Sequence, residues 1–483
     1  MTAETGLEAI DYEYPVEIEK MIDVKLKSLQ DSFNKKVVVV DDDPTGGQTV
    51  HGVDVYTSWS VETLVEAFDD KRKMFYIMTN SRSMQSKTTV RVHRELTANL
   101  IEAARLTGKE FVAVSRGDST LRGHYPLETE TIRSEFSLLT GEKIDGEIVI
   151  PFFEEGGRYT IDDVHYLQSD SGLIPVGCSE FARDKSFGYA NSDLKLWIEE
   201  KSNGEYKAEK VKSISLSMLR NREYKEITSI LESLEGFEKL VVNATCYSDL
   251  KVFCVSFLEA VAKGKRFISR SAAAWPKILG GVITTDLLGR EQIVNGNLQN
   301  GGLIVIGSHV NKTTEQLEEL RKEGDNLRFI EFNQHLAVEA KGLEEEIASV
   351  ASEAERSIKA GITAVIHTKR KRIDLGVQNA EEELIITNKI ADAITGIIGL
   401  IDAVPRYIVI KGGITSSDIA VKALNVGKAE ILGQVYPGIP VWRLGSKSKY
   451  PGLSYVIFPG NVGKRETLRE IAALLDGRGV SGQ

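Results

Sequence analysis

Cysteine is scarce in this chain: Cys178, Cys246 and Cys254 are the only three in 483 residues, and none stands at CxxC or metal-ligand spacing. That argues against a disulfide framework and against a zinc site, and it suits a reducing cytoplasm. Long apolar runs are missing too. No stretch approaches the ~20 residues that a membrane-spanning helix needs, and the N-terminal MTAETGLEAIDYEYPVEIEKMIDVKLKSL lacks the basic start and apolar run of a targeting segment. No membrane partner is expected. Positive charge is not in excess: 60 Lys and Arg against 70 Asp and Glu leave a formal charge of −10. A duplex binder carries a basic stripe to displace counterions, so nucleic acid is not an expected partner. Small phosphorylated ligands stay compatible, because a few backbone N–H groups and local cations can hold a phosphate. Without GxxxxGKS/T a P-loop NTPase is disfavoured, and without GxGxxG after the first strand a dinucleotide site is weakly supported. The protein-kinase motif set is absent, and no fixed-period repeat suggests a solenoid.

What is present is the balance of a globular chain, 42% hydrophobic and 27% charged, at a length that exceeds a single core. Apolar residues Ile18, Met21, Ile22, Leu26 and Leu29 recur at helical steps between Val16 and Phe33. They predict an amphipathic extension that packs on the body or on a partner subunit, which leaves a homo-oligomer open. KKVVVVDDDPTG comes next, a strand of four valines ending in acids and a Pro-Thr-Gly turn. Strand, polar turn and helix then alternate through KMFYIMTNSRS, a helix from about Thr88 to Thr107, EFVAVSRGDSTLRG, GEIVIPFF and EKLVVNATCYSDL. Between Asp162 and Lys212 no strand order can be traced. A second unit begins at GGLIVIGSHVNKTTEQL after the polar run GNLQNGG. It continues with a helix from Leu343 to Ala360, the strand GITAVIHT, a helix from Glu381 to Ile398 and the strand RYIVIKGG.

The expected fold class is therefore α/β, with two domains that each hold a mainly parallel sheet flanked by helices. The expected division is a helical extension over 1–36, a first domain over 37–300 and a second over 301–483, with the active site in the interdomain cleft. Ligands of open parallel sheets bind beyond the carboxyl ends of the strands. On that rule Asp42, Asp43, Asn80, Arg82, Asp118 and Asn243 converge on one edge.

Three clusters could carry chemistry. Asp41, Asp42 and Asp43 end an apolar strand, a crowding that is costly without donors or a cation nearby. One Asp could simply cap a helix; the functional alternative is binding of a substrate hydroxyl, with one carboxylate as general base. SRGDSTLRGHYP packs Arg116, Asp118, Ser119, Thr120, Arg122 and His124 into nine positions, and its two guanidiniums suit a carboxylate or phosphate. Against this, Arg122 and Asp118 could form a structural ion pair, and His124 alone reads as a loop residue. Arg82 in TNSRS is a further acid-gripping candidate. Arg158, Asp162, Asp163 and His165 belong to a loop that is either solvated or lines the cleft. In the C-terminal half, the turns at Gly307-Ser308-His309, Lys411 to Asp418 and Gly460 to Gly463 let a ligand approach backbone N–H groups. Lys411 could neutralise phosphoryl charge or merely be exposed.

Taken in order, DDDPTGGQTVHG, SRGDSTLRGHYP, PFFEEGGRYTIDDVHYL, VVNAT, GSHV, KGGITSSD and PGNVG resemble the four-carbon acid sugar kinase family, from about Val37 to Leu475. Its members join an N-terminal sugar-acid-binding domain to a C-terminal nucleotide-binding domain. They phosphorylate threonate, erythronate or 3-oxotetronates at the terminal hydroxyl. The resemblance implies substrate contacts from Asp42, Asp43, Arg82, Arg116, Gly117, Asp118 and Ser119, to which the cluster adds Arg122. It implies ATP contacts from Ser308, Gly412, Gly413, Ile414, Thr415 and Gly460. Members commonly carry Lys where Arg116 stands and Gly-Ser-Ala-Gly where this chain has Arg270, Ser271, Ala272 and Ala273. An ammonium and a guanidinium are not equivalent, so a different acid is within expectation.

The mechanism expected has Arg82 and Arg116 or Arg122 holding the substrate carboxylate. Asp42, Asp43 or Asp118 would be the catalytic carboxylate, the glycine turns would hold ATP, and Mg²⁺ would bridge its phosphates. Two rivals remain: a catalytically silent sugar-acid-binding or regulatory protein, and an NAD-dependent oxidoreductase.

Overall fold

A computed structural model describes residues 9–169, 172–294, 299–307, 310–323, 326–338, 341–370, 380–460 and 462–478. The chain divides into two compact units, one of residues up to Thr49 and Ser58–Thr284, the other of Val50–Thr57 and Thr285 onward.

The first eleven strands are β1 (Lys36–Asp41), β2 (Val53–Tyr56), β3 (Met74–Met78), β4 (Phe111–Arg116), β5 (Gly146–Ile150), β6 (Arg158–Ile161), β7 (Val164–Ser169), β8 (Gly172–Pro175), β9 (Lys212–Ile214), β10 (Glu238–Val242) and β11 (Phe267–Ser271). The first unit is built on β3–β1–β4–β11–β5–β10–β9, every neighbouring pair parallel. A strand covered on both faces must be apolar throughout, and Val37, Val38, Val39 and Val40 are all buried. The chain goes from β1 to β3 on one side and returns past β1 to β4 on the other, a reversal of strand order at whose carboxyl ends ligands of open parallel sheets bind.

The stretch that gave no strand order supplies β7 and β8, which join β6 just before it in a small antiparallel sheet, β6–β7–β8. Its first turn is Asp162–Asp163, at φ 48° and 65°, between the paired Ile161 and Val164. Two positive φ values in a two-residue loop match the twist of a hairpin, and Asp tolerates them.

The N-terminal helix Val16–Ser32 packs on the body, against the helix Tyr247–Ala262. Ile22 and Leu26 are buried, each burial stabilising by about 1.5–3 kcal/mol. Tyr14 donates to Asp249 Oδ1 at 2.9 Å, and Gln30 Nε2 to the Ile278 carbonyl at 2.7 Å.

The second unit holds β12 (Leu303–Ile306), β13 (Leu327–Phe332), β14 (Thr363–Thr368), β15 (Ile408–Lys411), β16 (Lys428–Tyr436), β17 (Ile439–Leu444) and β18 (Ser454–Phe458). Their order is β13–β14–β12–β15–β18–β17–β16–β2; the first five are parallel and the last three antiparallel. Helices Leu343–Lys359 and Ala380–Leu400 match the sequence expectation. Strand β2 was not foreseen. VDVY joins the second unit because Val53 and Val55 register with Ile431 and Ala429 of β16, although the flanking sequence belongs to the first. Among the described residues no helix is long and apolar enough to cross a membrane.

Candidate active site

Register fixes the first half of the site. Asp41 is the partner of both Met78 and Arg116, and Arg116 of Ser271, so β3, β1, β4 and β11 end level. The residues just past these strand ends must therefore share one edge: Asp42 and Asp43 after β1, Arg82 after β3, and the Gly117–Gly123 loop after β4.

There the acids and guanidiniums interlock. Arg82 pairs with Asp43 through Nη2, lies 3.3 Å from Asp118 Oδ1 through Nη1, and has Nε 4.0 Å from Asp42 Oδ2. Arg116 Nη1 is 3.4 Å from Asp41 Oδ1 and 3.5 Å from Asp42 Oδ1. Arg122 Nε donates to Asp118 Oδ2 at 2.7 Å. Gly46 packs so tightly on the Asp41 carboxylate that a Cβ would stand 1.8 Å from Oδ2.

The four carboxylates differ in what they accept. Asp43 takes the Thr45 N–H at 2.8 Å and the Thr45 hydroxyl at 2.5 Å, and Asp118 takes Arg122 and the Thr120 hydroxyl. Burial works to raise both, but Arg82 and the Thr45 bonds outweigh it for Asp43, and Arg122 with Arg82 outweighs it for Asp118. Both are held below the usual carboxylate range. Asp41 is pushed up to about 8 by burial, against the pull of Arg116. Asp42 is pushed up to about 6 by burial, with Arg82 and Arg116 opposing. Both of its oxygens are buried and neither accepts a hydrogen bond. An unsatisfied buried carboxylate costs stability and calls for an explanation.

Several expected residues stand elsewhere. Asn243 does not join the acids: its side chain donates to Asp163 Oδ1 at 2.8 Å, and Lys195 pairs with Asp163 at 2.7 Å, so these form a structural network. Asn80 makes a turn at φ 57°. His124 Nε2 faces the Met84 carbonyl at 3.0 Å, in the loop role read from sequence. Arg158 and Arg122 both lie over the Phe181 ring, with centroid distances of 6.0 and 4.9 Å. Sequence reasoning named Arg270 only as a departure from the family, yet it is 4% exposed and lies against the Gly117 backbone. The available signal was an arginine closing an apolar strand, next to Ser271, the partner of Arg116. An apolar cavity of about 160 Å³, lined by Ile101, Phe111, Phe136 and Phe267 among others, opens at the opposite, amino-terminal edge of this sheet. None of the cluster's acids or guanidiniums lines it.

In the second unit, Ile306, Lys411 and Phe458 are partners across β12, β15 and β18, so the three glycine turns leave one edge. Gly412 sits at φ 132°, a conformation that favours glycine. Gly307 approaches Thr415, where a Cβ would stand 2.7 Å from Oγ1, and Thr313 Oγ1 donates to the Gly460 carbonyl at 3.2 Å. Gly413 opens the short helix Gly413–Asp418, which includes the backbone of Ile414. Ser308 and His309 lie outside the described residues. Lys411 is not exposed. It is fully buried, donates to the Pro459 carbonyl at 2.7 Å, and is pushed down to about 6 by burial.

Comparison with known proteins finds two family models along the chain. The model of a sugar-binding N-terminal domain matches residues 37–279, and that of a nucleotide-binding C-terminal domain matches residues 303–468. HI1011 of Haemophilus influenzae, a DUF1537 protein, superposes with a TM-score of 0.59 at 16% identity, covering 91% of this chain and 100% of its own. A Salmonella typhimurium LT2 protein, named provisionally as a tRNA synthase, gives 0.62 at 12% identity over 91% and 99%. Such identities speak for the fold alone. No curated protein matches the chain. A sugar-binding domain followed by a nucleotide-binding domain is a sugar-kinase architecture. The chain belongs to the four-carbon acid sugar kinase family, DUF1537.

Proposed function

We propose that the protein transfers the γ-phosphoryl group of ATP to the terminal hydroxyl of a small sugar acid, of four carbons in the first instance. The observation that carries this reading is Asp42: two buried carboxylate oxygens with no donor, at 3.5 and 4.0 Å from two guanidiniums. A ligand hydroxyl supplies the missing donor, and a ligand carboxylate suits the guanidiniums. Arg82, Arg116 and Arg122 hold the acid group. Asp43 and Asp118, held below the usual range and already taken up by donors, orient Arg82 and Arg122, which leaves Asp42 as the general base. As the hydroxyl oxygen bonds to phosphorus its proton passes to Asp42, and the bond to the β-phosphate breaks to release ADP. In the second unit, Ser308, Gly412, Gly413, Ile414, Thr415 and Gly460 form the nucleotide site.

Mg²⁺ would supply charge neutralisation on the phosphates. Among the described residues no three Asp, Glu, His or Cys side chains group as metal ligands, so an ion here would be held chiefly by the phosphate oxygens and water.

The test is ATP consumption with Mg²⁺ across four- to six-carbon aldonates and oxo-acids, with mass detection of the product. One phosphorylated acid establishes the reading and names the acceptor. ATP binding with no acid phosphorylated leaves the reaction without its acceptor class and refutes the sugar-acid assignment. Absence of ATP binding favours a sugar-acid-binding protein.

A further inference from the structure

Three buried side chains from separate segments reach backbone carbonyls of the Gly117–Gly123 loop. His165 Nε2 lies 2.9 Å from the Ser119 oxygen, the Tyr189 hydroxyl donates to Thr120 at 2.6 Å, and Arg270 Nη2 donates to Arg122 at 3.2 Å. A carbonyl can only accept, so His165 carries its proton on Nε2, and Nδ1, 3.0 Å from Thr160 Oγ1, accepts. The loop needs such support. Leu121 sits at φ 67° and Gly123 at φ 118°, and the Leu121 N–H makes a bond within the loop, 3.0 Å to the Asp118 carbonyl.

Arg270 reaches the most carbonyls of the three. Among the described residues no carboxylate pairs with it; its guanidinium is spent on carbonyls, with Nη1 3.0 Å from Ser271 and Nη2 3.5 Å from Asp118 as well as the bond to Arg122. It also lies flat against Gly117, where a Cβ would stand 2.3 Å from the guanidinium carbon. A side chain at residue 117 would therefore have to push the Arg270 guanidinium off these carbonyls.

We propose that Arg270 is a positioning residue for the acceptor site: with His165 and Tyr189 it fixes the Gly117–Gly123 loop by its carbonyls and thereby sets Asp118 against Arg82 and Arg122. The proposal rests on the function above only in taking this loop as acceptor-binding. A fork with several N–H groups in one plane can hold neighbouring carbonyls at once. The loop is then preorganised before the acceptor arrives, and the acceptor does not spend binding energy on ordering it.

The test uses the full chain and four proteins: wild type, Arg270→Ala, Gly117→Ala and the double variant. Amide exchange of peptides covering 117–123 is measured beside kcat and KM for the acid and for ATP. Arg270→Ala is expected to speed loop exchange at least about tenfold and leave β1 and β12 unchanged. It should cut kcat/KM for the acid about 10²-fold with KM for ATP moved less than about twofold. Gly117→Ala drives a methyl into the guanidinium and should reproduce both effects; in the Arg270→Ala background it should add nothing, because the obstacle has gone. Losses that multiply in the double variant overturn the pairing, and unchanged loop exchange in folded Arg270→Ala overturns the clamp. If Arg270→Ala does not fold, Gly117→Ala alone decides by the same exchange readout. Should the wild type phosphorylate no acid, the kinase reading falls separately and loop exchange still decides the role of Arg270.

Discussion

Replacing Asp42 by Asn should make the protein more stable and almost inactive, and the two effects have one physical origin. The side chain is buried with no donor on either oxygen, and its folded pKa stands at about 6 against an ordinary 3.8. A carboxyl with a raised folded pKa favours the fold while protonated, below about pH 4, and that advantage is lost as pH rises through about 6. The loss amounts to about 3 kcal/mol at neutral pH and above, less what an amide in the same place costs to bury. Urea unfolding from pH 4 to 8 should show Asp42→Asn drawing ahead of wild type between about pH 4 and 7 and holding its lead beyond. An amide cannot take the hydroxyl proton, so kcat should fall by about 10²–10⁴-fold. The acid limb of the wild-type kcat/KM profile, near pH 6, should vanish with it. An Asn variant that is less stable at pH 8, or that keeps activity within about tenfold, would show that Asp42 is a structural ion-pair member and not the base.

Asp41 is held protonated up to about 8 by burial, so wild type should lose stability as pH rises from about 4 to 8. Asp41→Asn should flatten that fall by up to about 1.4 kcal/mol per pH unit in urea midpoints. Lys411 has the opposite sign: a buried lysine pushed down to about 6 costs stability at low pH, so stability should rise with pH between about 6 and 10. Lys411→Met should abolish that rise, and KM for ATP should stay within about threefold, because an uncharged amine bonded to Pro459 adds little to phosphate binding. Tyr14→Phe removes the buried bond to Asp249 and should cost about 1–2 kcal/mol by urea unfolding without changing kcat.

The parallel strands were legible because burial on both faces forces continuous apolar runs, as in KVVVVD of β1, and because each run ends in polar residues that cannot continue it. That same ending placed Asp42, Asp43, Arg82 and Asp118 together without any knowledge of strand order, since parallel strands put their carboxyl ends on one side; it also named Asn80, which makes a turn, and Asn243, which bonds Asp163 instead. Strand β2 escaped notice for the converse reason. VDVY alternates too briefly to declare its partner, and that partner, β16, lies more than 370 residues further on. The β6–β7 hairpin could have been found from Arg158-Tyr159-Thr160-Ile161, two acids, and Val164-His165-Tyr166. Asp-Asp is a weaker turn signal than Asn-Gly, and the same pair reads equally well as a solvated loop or as a cleft lining.

Which carboxylate is free could not be read from sequence at all. Asp41, Asp42 and Asp43 are chemically identical neighbours, and what separates them is donors that arrive from Thr45, Arg82 and Arg116. Arg270 shows the same limit from the other side. Its side chain acts on residues about 150 positions earlier, through backbone carbonyls that carry no side-chain signature, and sequence marks the contact only as a glycine at 117. A glycine kept clear by a side chain reads in sequence like a glycine that serves a turn. The distinction is a matter of distance: adding a methyl at 117 should be harmful only while the guanidinium of residue 270 occupies the space.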